Sequence, residues 1–286
     1  MDVLTGVQRS LRRALVRRGA KSATVEVLGH PIHFYEVAGM GKGLPVVLVH
    51  GLGGSANGFY KILFPLAKRF PRVFALDLPG HGFSPRARPA TTLRQNLDLV
   101  AAFCEQVVGP PVFAIGNSLG GGLCLLLASE RPELIGSLAL LAPAGARLEK
   151  QQRAEIAEAL LVRNRTQARA LTRRLFHRAP LLTLIFATLF PKLYGSPIVS
   201  EILAGPDAEA YLSPEQLGRV SVPTLLLWGK SEKLLPFDAV EYFRAHLPRQ
   251  AGIEIVEGFG HVPQIERPRE LVRRLSVFAD QARPEA

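Results

Sequence analysis

Ser118 carries the strongest signal for nucleophilic chemistry in the sequence. It stands in Gly116-Asn117-Ser118-Leu119-Gly120, directly after the apolar run VFAI and directly before an apolar helical pattern. This G-x-S-x-G spacing is typical of a sharp strand-to-helix turn that exposes a serine hydroxyl above a sheet, at the positive end of a helix. We therefore predict that Ser118 is a nucleophile. A serine that only caps a helix in a glycine turn is the alternative.

A serine is a weak nucleophile until a base takes its proton, and His261 is the histidine best placed to act as that base. It follows the apolar run IEIV in the glycine-rich segment GFGHVP and is last in chain order. By contrast, His30 and His33 lie in an N-terminal hairpin pattern, His177 in a long insertion and His246 on a late amphipathic helix. We predict that His261 is the general base, with an ordinary surface histidine as the alternative.

An imidazole base needs an acidic partner that holds its tautomer and stabilises the imidazolium. Glu232 is the best candidate, because it follows the apolar run TLLLW in the segment GKSEK. Asp238 lies close by in the sequence and is the second candidate. The predicted triad is Ser118, Glu232 and His261, although an acid between two lysines is also typical of a surface position.

A developing oxyanion needs two backbone N–H groups aimed at it. One should come from Leu119, directly after the nucleophile, and the other from Leu52 in the loop HGLGG at 50–54. The glycines of this loop would let the backbone approach a substrate closely. We therefore expect Gly51, Gly53 and Asn117 to line the substrate-binding site. An ordinary glycine turn is the alternative for this loop.

The elements that must position these residues alternate between short apolar runs and helical patterns. The apolar runs are typical of strands buried on both faces, and they cover 46–49, 73–78, 112–115, 137–141, 224–228 and 253–256. A hairpin over 23–37, with its turn at 29–31, precedes them. Helical patterns cover 93–108, 119–130, 239–247 and 270–281. This alternation predicts an α/β fold with a mostly parallel sheet and helices on both faces.

About eighty residues between the runs at 137–141 and 224–228 contain no strand signal. We predict that residues 147–217 form a helical cap, and that 23–146 and 218–286 form the core. Plain connecting helices are the alternative. Within the cap, the segment 170–195 is rich in Leu, Phe and Ile, which suits an apolar acyl group as substrate. Packing of the cap onto the core would use the same side chains.

Residues 1–22 form a basic segment with an amphipathic pattern. Leu4, Val7, Leu11 and Leu15 fall at helical spacing among arginines, and the whole chain has a formal net charge of +11. Such a helix can lie in an anionic membrane interface or dock on its own domain, so peripheral membrane contact through residues 1–21 is one hypothesis. The charge also permits nucleic-acid binding, but no basic–aromatic stripe or binding motif supports it, and we predict none.

Cys104 and Cys124 lie in apolar helical patterns and are predicted to be buried free thiols. This predicts a reducing compartment, and we expect a cytoplasmic protein, with membrane association as the alternative. The N-terminus lacks the apolar region of a signal peptide, and no uncharged apolar run reaches membrane-spanning length. No Cys/His cluster indicates a metal, and we expect neither a metal nor a cofactor.

Taken together, the motifs resemble those of the α/β-hydrolase superfamily. The matching segments are HGLGG at 50–54, LDLPGHGFS at 76–84, GNSLGG at 116–121, WGKSE at 228–232 and GHVPQIERP at 260–268. The candidate triad also has the superfamily's chain order of serine, acid and histidine. The resemblance implies an α/β-hydrolase fold with an eight-stranded, mostly parallel sheet, helices on both faces and a helical cap inserted after the sixth strand.

Details of the motifs narrow the resemblance. Serine at position 118 is unlike the dehalogenase and epoxide hydrolase branches, which place aspartate there. GNSLGG and the segment LLAPAG at 140–145 resemble carboxylesterases, monoacylglycerol lipases and carbon–carbon bond hydrolases of ring-cleavage products. Val262 stands where the carbon–carbon hydrolases usually carry tryptophan, and Glu232 stands where this branch usually has aspartate.

The resemblance implies a serine hydrolase that cleaves a small-molecule carboxylic ester with an apolar acyl group. One alternative is a carbon–carbon hydrolase acting on a dienoic keto acid, with a cap arginine such as Arg174 holding the substrate carboxylate. A second alternative is a non-catalytic binding protein that keeps the fold.

Overall fold

The computed structural model describes residues 3–179, 190–195, 197–203 and 211–282. Eight strands form one sheet in the order β1-β2-β4-β3-β5-β6-β7-β8. The strands β1 and β2 form an antiparallel hairpin, β2 is antiparallel to β4, and the remaining neighbours are parallel. The strands are β1 (Lys21–Val27), β2 (His30–Ala38), β3 (Val46–Val49), β4 (Arg72–Leu76), β5 (Val112–Asn117), β6 (Ile135–Leu141), β7 (Thr224–Gly229) and β8 (Gly252–Val256).

Helices lie before, between and after these strands. Short 3₁₀ turns occur at Ala56–Phe59 and Pro132–Leu134. The described α-helices are α1 (Val3–Arg17), α2 (Leu63–Ala67), α3 (Leu93–Phe103), α4 (Leu119–Glu130), α5 (Lys150–Leu160), α6 (Arg165–Leu175), α7 (Phe190–Tyr194), α8 (Pro197–Leu203), α9 (Pro214–Gly218), α10 (Asp238–His246), α11 (Pro263–Glu266) and α12 (Pro268–Gln281).

Alternation along the buried strands divides the core between the two faces of the sheet. In β3, Val47 and Val49 join one apolar cluster, whereas Val46 and Leu48 join the cluster on the opposite face. All four residues are fully buried, which is the pattern expected of a central parallel strand covered by helices on both sides. The predicted α/β-hydrolase architecture is therefore confirmed.

Strand register brings the candidate loops to one edge of the sheet. Val49, the last residue of β3, lies opposite Gly116 of β5, so the loop after β3 starts beside Ser118. At the other end of the parallel series, Gly229 of β7 lies opposite Val256 of β8. The loops that follow these residues carry Glu232 and His261. Parallel strands thus deliver all the predicted site loops at their carboxyl ends.

Some predicted boundaries differ from the structure. The hairpin turn is at Leu28 and Gly29, both with positive φ, so His30 already belongs to β2. The predicted helix 93–108 ends with a π-helical turn, Cys104–Val108, that closes with a bond from the Gly109 N–H to the Cys104 carbonyl. Because such a turn widens the helix by only one residue, the spacing of apolar residues in the sequence does not predict it.

Both cysteines are buried free thiols, as predicted. Burial raises the pKa of the Cys104 thiol to about 12 and also raises the pKa of Cys124. Both thiols therefore stay protonated near neutral pH and behave as small apolar side chains.

The segment between β6 and β7 is helical in its described residues and contains no strand there. Its side chains form a third apolar cluster that includes Leu171, Leu175, Phe176 and Tyr194, and Leu234 of the core completes it. The apolar stretch at 180–189, which the sequence analysis assigned to the cap, lies outside the described residues. Leu52, Val262 and Ile265 pack against the same cluster, so the described part of the segment between β6 and β7 packs onto loops at the sheet edge that carries the candidate site.

Helix α1 turns its apolar side to its own domain. Leu15 is 1% exposed and joins the same core cluster as Tyr35 and Leu66, and Leu11 packs against that cluster. Of the helices in the described part of the chain, none is long and apolar enough to cross a membrane.

Candidate active site

Ser118 occupies a strained turn between β5 and α4. Its backbone has φ 54° and ψ −120°, a region that L-residues rarely adopt. The Ser118 N–H donates to the Leu141 carbonyl at 3.0 Å, and the Ser118 carbonyl accepts from Gly122 and Ala144 at 3.0 and 2.9 Å. Such a conformation costs about 1–3 kcal/mol and persists only where the surrounding structure over-determines it. These bonds hold Ser118 in that conformation.

The glycines of G-x-S-x-G are required by close backbone contacts. A Cβ on Gly116 would lie 2.3 Å from the carbonyl oxygen of Gly120. A Cβ on Gly120 would lie 2.2 Å from the carbonyl oxygen of Val49 in β3. Any side chain at either position would therefore push the turn that carries Ser118 away from the sheet.

His261 and Glu232 form a buried pair at the same edge of the sheet. Nδ1 of His261 donates to Oε2 of Glu232 at 2.7 Å, and their side chains are 4% and 1% exposed. Oε1 of Glu232 accepts from the N–H groups of Leu234 and Leu235 at 2.7 and 3.1 Å. Because Nδ1 carries the proton, Nε2 of His261 is free to accept one, as a general base must.

Asp238, the second candidate acid, lies elsewhere. Its Oδ2 accepts from Nε2 of Gln152 at 2.7 Å on the exposed start of α10. The structure therefore pairs His261 with Glu232 and leaves Asp238 at the surface.

The backbone of His261 is held from two sides. Its N–H donates to the carbonyl of Leu175, the last residue of α6, at 2.9 Å. Its carbonyl accepts from Nδ2 of Asn117, also at 2.9 Å. The position of the histidine thus depends on both α6 and the residue before the candidate nucleophile.

Asn117 was expected to bind substrate, but its side chain bonds to the protein. Nδ2 donates to the carbonyls of Leu141 and His261, and Oδ1 accepts from Nε2 of Gln264 at 3.0 Å. The residue lines the pocket, yet its polar atoms tie the Ser118 turn to the His261 loop. Asn117 is therefore a positioning residue, a role that needs contacts far apart in the chain.

Ser118 and His261 line the same pocket. Within the described residues, no hydrogen bond joins the Ser118 hydroxyl to the His261 ring. Catalytic hydrogen bonds are often long without substrate and tighten in the substrate complex. The arrangement therefore fits a nucleophile and base that engage when substrate binds.

The backbone N–H groups of Leu52 and Leu119 have no hydrogen-bond partner among the described residues. Neighbouring groups in the same loop differ: the Gly53 N–H donates to Nε2 of His81 at 3.3 Å, and the Gly54 N–H donates to the Gly51 carbonyl at 2.9 Å. The two unbonded N–H groups are the pair predicted to hold an oxyanion. Gly51 and Gly53 line the pocket, as expected of backbone close to substrate.

Two buried histidines shape the loop that carries Leu52, and sequence reasoning missed them. Nε2 of His50 accepts from the Leu78 N–H at 3.0 Å, and its Nδ1 donates to the Gly51 carbonyl at 2.8 Å. Burial lowers the pKa of His50, and it lowers the pKa of His81 to about 3. Both rings are therefore neutral near neutral pH and can accept from backbone N–H groups. The sequence signal that could have identified these two residues is the histidine in each of the glycine-rich segments HGLGG and PGHG.

The pocket above Ser118 is a cavity of about 340 Å³ with mostly apolar walls. Phe176, Phe190 and Leu193 contribute from the segment between β6 and β7. Leu4, Val7 and Leu11 of α1 also line it, which the sequence analysis did not predict. A helical apolar stripe indicates burial, but only tertiary structure tells what it packs against.

Polar atoms without partners also occur on the pocket wall. Asn57 Nδ2 and Gln264 Oε1 are buried and have no hydrogen-bond partner among the described residues. The described part of the chain contains no group of three or more His, Cys, Asp or Glu side chains arranged to hold a metal ion.

The fold and the site define a class of protein. The chain belongs to the α/β-hydrolase-fold family, whose family model matches residues 45–268. The dihydrolipoyllysine-residue acetyltransferase component of the acetoin cleaving system of Pseudomonas putida is similar, at 28% identity over 269 residues that span 91% of this chain and 70% of that relative. The chain spans 60% of the corresponding component of Cupriavidus necator.

Two further similarities concern hydrolases. The 2-hydroxy-6-oxo-6-(2'-aminophenyl)hexa-2,4-dienoic acid hydrolase of Metapseudomonas resinovorans is 26% identical over 260 residues, 83% of this chain and 84% of that enzyme. The crystal structure of a bacterial membrane phospholipase A superposes with a TM-score of 0.86 at 27% identity, covering 98% of this chain and 93% of that one. The family and these neighbours support hydrolase activity.

Proposed function

We propose that this protein is a serine hydrolase that cleaves carboxylic esters with an apolar acyl group through a covalent acyl-enzyme. The observation that carries the proposal is the strained Ser118 turn in the same apolar pocket as His261, whose Nδ1 bonds to buried Glu232. The similarity to a phospholipase A, an ester-cleaving enzyme by its name, supports the same reaction class.

In the proposed acylation, Nε2 of His261 takes the hydroxyl proton of Ser118 while Oγ attacks the ester carbonyl carbon. The carbonyl oxygen becomes an oxyanion and accepts hydrogen bonds from the N–H groups of Leu52 and Leu119. The intermediate then collapses. The carbon–oxygen bond to the alcohol breaks, and the alcohol leaves with the proton from His261.

In the proposed deacylation, His261 takes a proton from water, and the hydroxyl oxygen attacks the acyl-enzyme carbonyl. Collapse of the second oxyanion releases the carboxylic acid and returns the proton to Ser118. Glu232 stays ionised throughout and stabilises the imidazolium of His261 in both half-reactions.

The pocket walls favour an apolar acyl group. The side chains of Leu4, Val7, Phe176, Phe190 and Leu193 can surround a hydrocarbon chain without leaving polar groups unpaired. Each buried methylene of substrate contributes about 0.8 kcal/mol, so affinity should grow with chain length until the cavity is full.

Carbon–carbon bond hydrolysis is the second candidate, because the Metapseudomonas relative bears that kind of name. Such a substrate carries a carboxylate that needs a cation in the pocket. No arginine or lysine occurs among the described residues that line the pocket, and Arg174, the candidate cap arginine, is exposed and outside that lining. These observations favour the ester.

The test of the nucleophile is labelling with a fluorophosphonate probe. Wild type should be labelled, and Ser118→Ala should not be, whereas a Ser137→Ala variant on β6 serves as the matched control and should label like wild type. Lack of labelling in wild type would remove the acyl-transfer mechanism.

The test of the substrate class is a series of p-nitrophenyl esters from acetate to decanoate, with a dienoic keto acid alongside. We expect kcat/KM to rise from acetate to medium chain lengths, with no turnover of the keto acid. A preference for acetate without gain from longer chains would contradict an apolar acyl group. Faster turnover of the keto acid would establish the carbon–carbon reaction instead.

A further inference from the structure

Helix α1 has a cationic outer side. It has 15 residues with no acidic residue among them, and Arg18 and Lys21 follow it, in the turn before β1 and at the start of β1. Arg13 and Arg17 are exposed, and neither forms a hydrogen bond or ion pair with any described residue. These two side chains line one shallow depression together with Lys21 and Ser22.

The apolar side of the same helix forms part of the wall of the pocket above Ser118. Leu4, Val7 and Leu11 line the pocket above Ser118. At 3.6 residues per turn, Arg13 lies about 160° and Arg17 about 120° around the helix from Leu11, so both lie away from the side that lines the pocket. The helix therefore separates an apolar pocket from a positively charged outer surface.

This arrangement changes how α1 can meet a membrane. An interfacial helix usually inserts its apolar face into the lipid. Here that face is committed to the pocket and to the core through Leu15. Attraction to a surface must then come from the arginines, which act on anionic headgroups over about a Debye length.

We propose that α1 docks the protein on an anionic lipid bilayer through Arg13 and Arg17, with the pocket for the acyl chain directly behind the docked helix. Charge complementarity selects the partner, because an anionic headgroup surface presents the negative charges that this face lacks. The apolar wall selects a bilayer over a nucleic acid, since acyl esters reside in lipid and α1 contains no aromatic residue to stack on bases.

The docking proposal rests on the proposed function only for the claim that the substrate is an ester. Vesicle binding itself can be measured without catalysis. Sedimentation with phosphatidylglycerol–phosphatidylcholine vesicles should capture wild type, and pure phosphatidylcholine vesicles should not. Each basic residue near an anionic surface raises partitioning by about fivefold, so Arg13→Glu/Arg17→Glu should lower it by at least about 25-fold.

The matched control is Arg249→Glu/Arg273→Glu, which makes the same charge change near β8, at the opposite edge of the sheet from β1. This control should keep most of the vesicle binding. All three proteins should hydrolyse soluble p-nitrophenyl butyrate equally. Against an ester dissolved in anionic vesicles, only the α1 variant should be slower.

The outcomes separate the two proposals. Equal loss of vesicle binding in the α1 and control variants would overturn docking through α1, and so would equal binding of wild type to both kinds of vesicle. Tighter binding of wild type to duplex DNA than to anionic vesicles would identify a different partner and also overturn it. Failure to cleave any ester, with vesicle binding intact, would overturn the proposed function and leave the docking standing.

Discussion

Two constellations of serine, histidine and acid can be compared within the part of the chain that the structure describes. In the first, Nδ1 of His261 bonds to Oε2 of Glu232 at 2.7 Å, and His261 lines the same pocket as Ser118. In the second, Oγ of Ser22 lies 2.8 Å from Nε2 of His33. Nδ1 of His33 lies 2.7 Å from Oδ2 of Asp77, and both of those side chains are 1% exposed. By residue type and hydrogen bonding alone, the second is the more complete triad.

The surroundings of the two serines differ. Ser22 is a residue of β1, paired with Tyr35 of β2 in a regular antiparallel ladder. It lies outside the pocket of Ser118 and has no counterpart of the strained turn at a helix N-terminus. A nucleophile needs an acyl pocket and backbone N–H groups aimed at the reacting carbonyl, and Ser118 has candidates for both.

The Asp77 carboxylate also accepts hydrogen bonds from two backbone N–H groups. Its Oδ1 accepts from the Ala56 N–H at 2.7 Å, and its Oδ2 accepts from the Phe83 N–H at 3.0 Å. A Cβ on Gly82 would lie 2.2 Å from the Asp77 carboxylate. The second constellation therefore joins β2, β4 and the segment that follows the Leu52 loop. The same residue types can therefore position a backbone or perform chemistry, depending on what surrounds the serine.

The largest expected difference in kcat is between variants of the two serines. Ser118→Ala should lower kcat on p-nitrophenyl butyrate by about 10⁶-fold, because the nucleophile is removed. Ser22→Ala should leave kcat unchanged. Steady-state kinetics of the two purified variants makes the comparison, and a large loss of kcat in Ser22→Ala would show that the second constellation takes part in catalysis.

The next difference concerns the acids. Glu232→Gln should lower kcat by about 10⁴-fold, because an amide cannot stabilise the imidazolium and favours the wrong tautomer of His261. Asp238→Asn is the control and should keep full activity, since Asp238 bonds to Gln152 at the surface. The pair is compared by kcat at equal Tm. Loss of activity in Asp238→Asn alone would reassign the acid.

The smallest expected effect is on stability. His33→Phe should lower the free energy of unfolding by about 1–3 kcal/mol, because the buried Asp77 carboxylate loses one of its donors. The kcat of the folded variant should stay close to wild type. Urea unfolding measures the first quantity and ester hydrolysis the second. Unchanged stability with a kcat as low as that of Glu232→Gln would contradict a structural role for His33.

Local sequence was enough to predict the Ser118 turn and the strands around it. Apolar runs mark buried strands because burial on both faces excludes polar residues from every position. Gly116 and Gly120 indicate the turn in the sequence, because close backbone contacts there leave no room for a side chain. Boundaries were less exact, as with the π-helical turn Cys104–Val108, because periodicity is averaged over several residues.

Pairings between distant segments could not be predicted in this way. His33 meets Asp77 because β2 and β4 pair with Phe34 opposite Leu76, a register that depends on the whole sheet. The sequence favoured Glu232 over Asp238 by its place after an apolar run, but the contact between Glu232 and His261 depends on how two loops turn after β7 and β8. The link from Asn117 to the His261 carbonyl is of the same kind.

The sequence by itself determined the family resemblance, the order of strands and helices, and the candidate residues Ser118, Glu232 and His261, because these follow from short-range patterns of size, polarity and glycine. Only the tertiary structure decided which serine has a pocket, which acid meets the histidine, and that the apolar stripe of α1 faces that pocket. These depend on contacts between residues far apart in the chain, and such contacts are set by how the whole core packs.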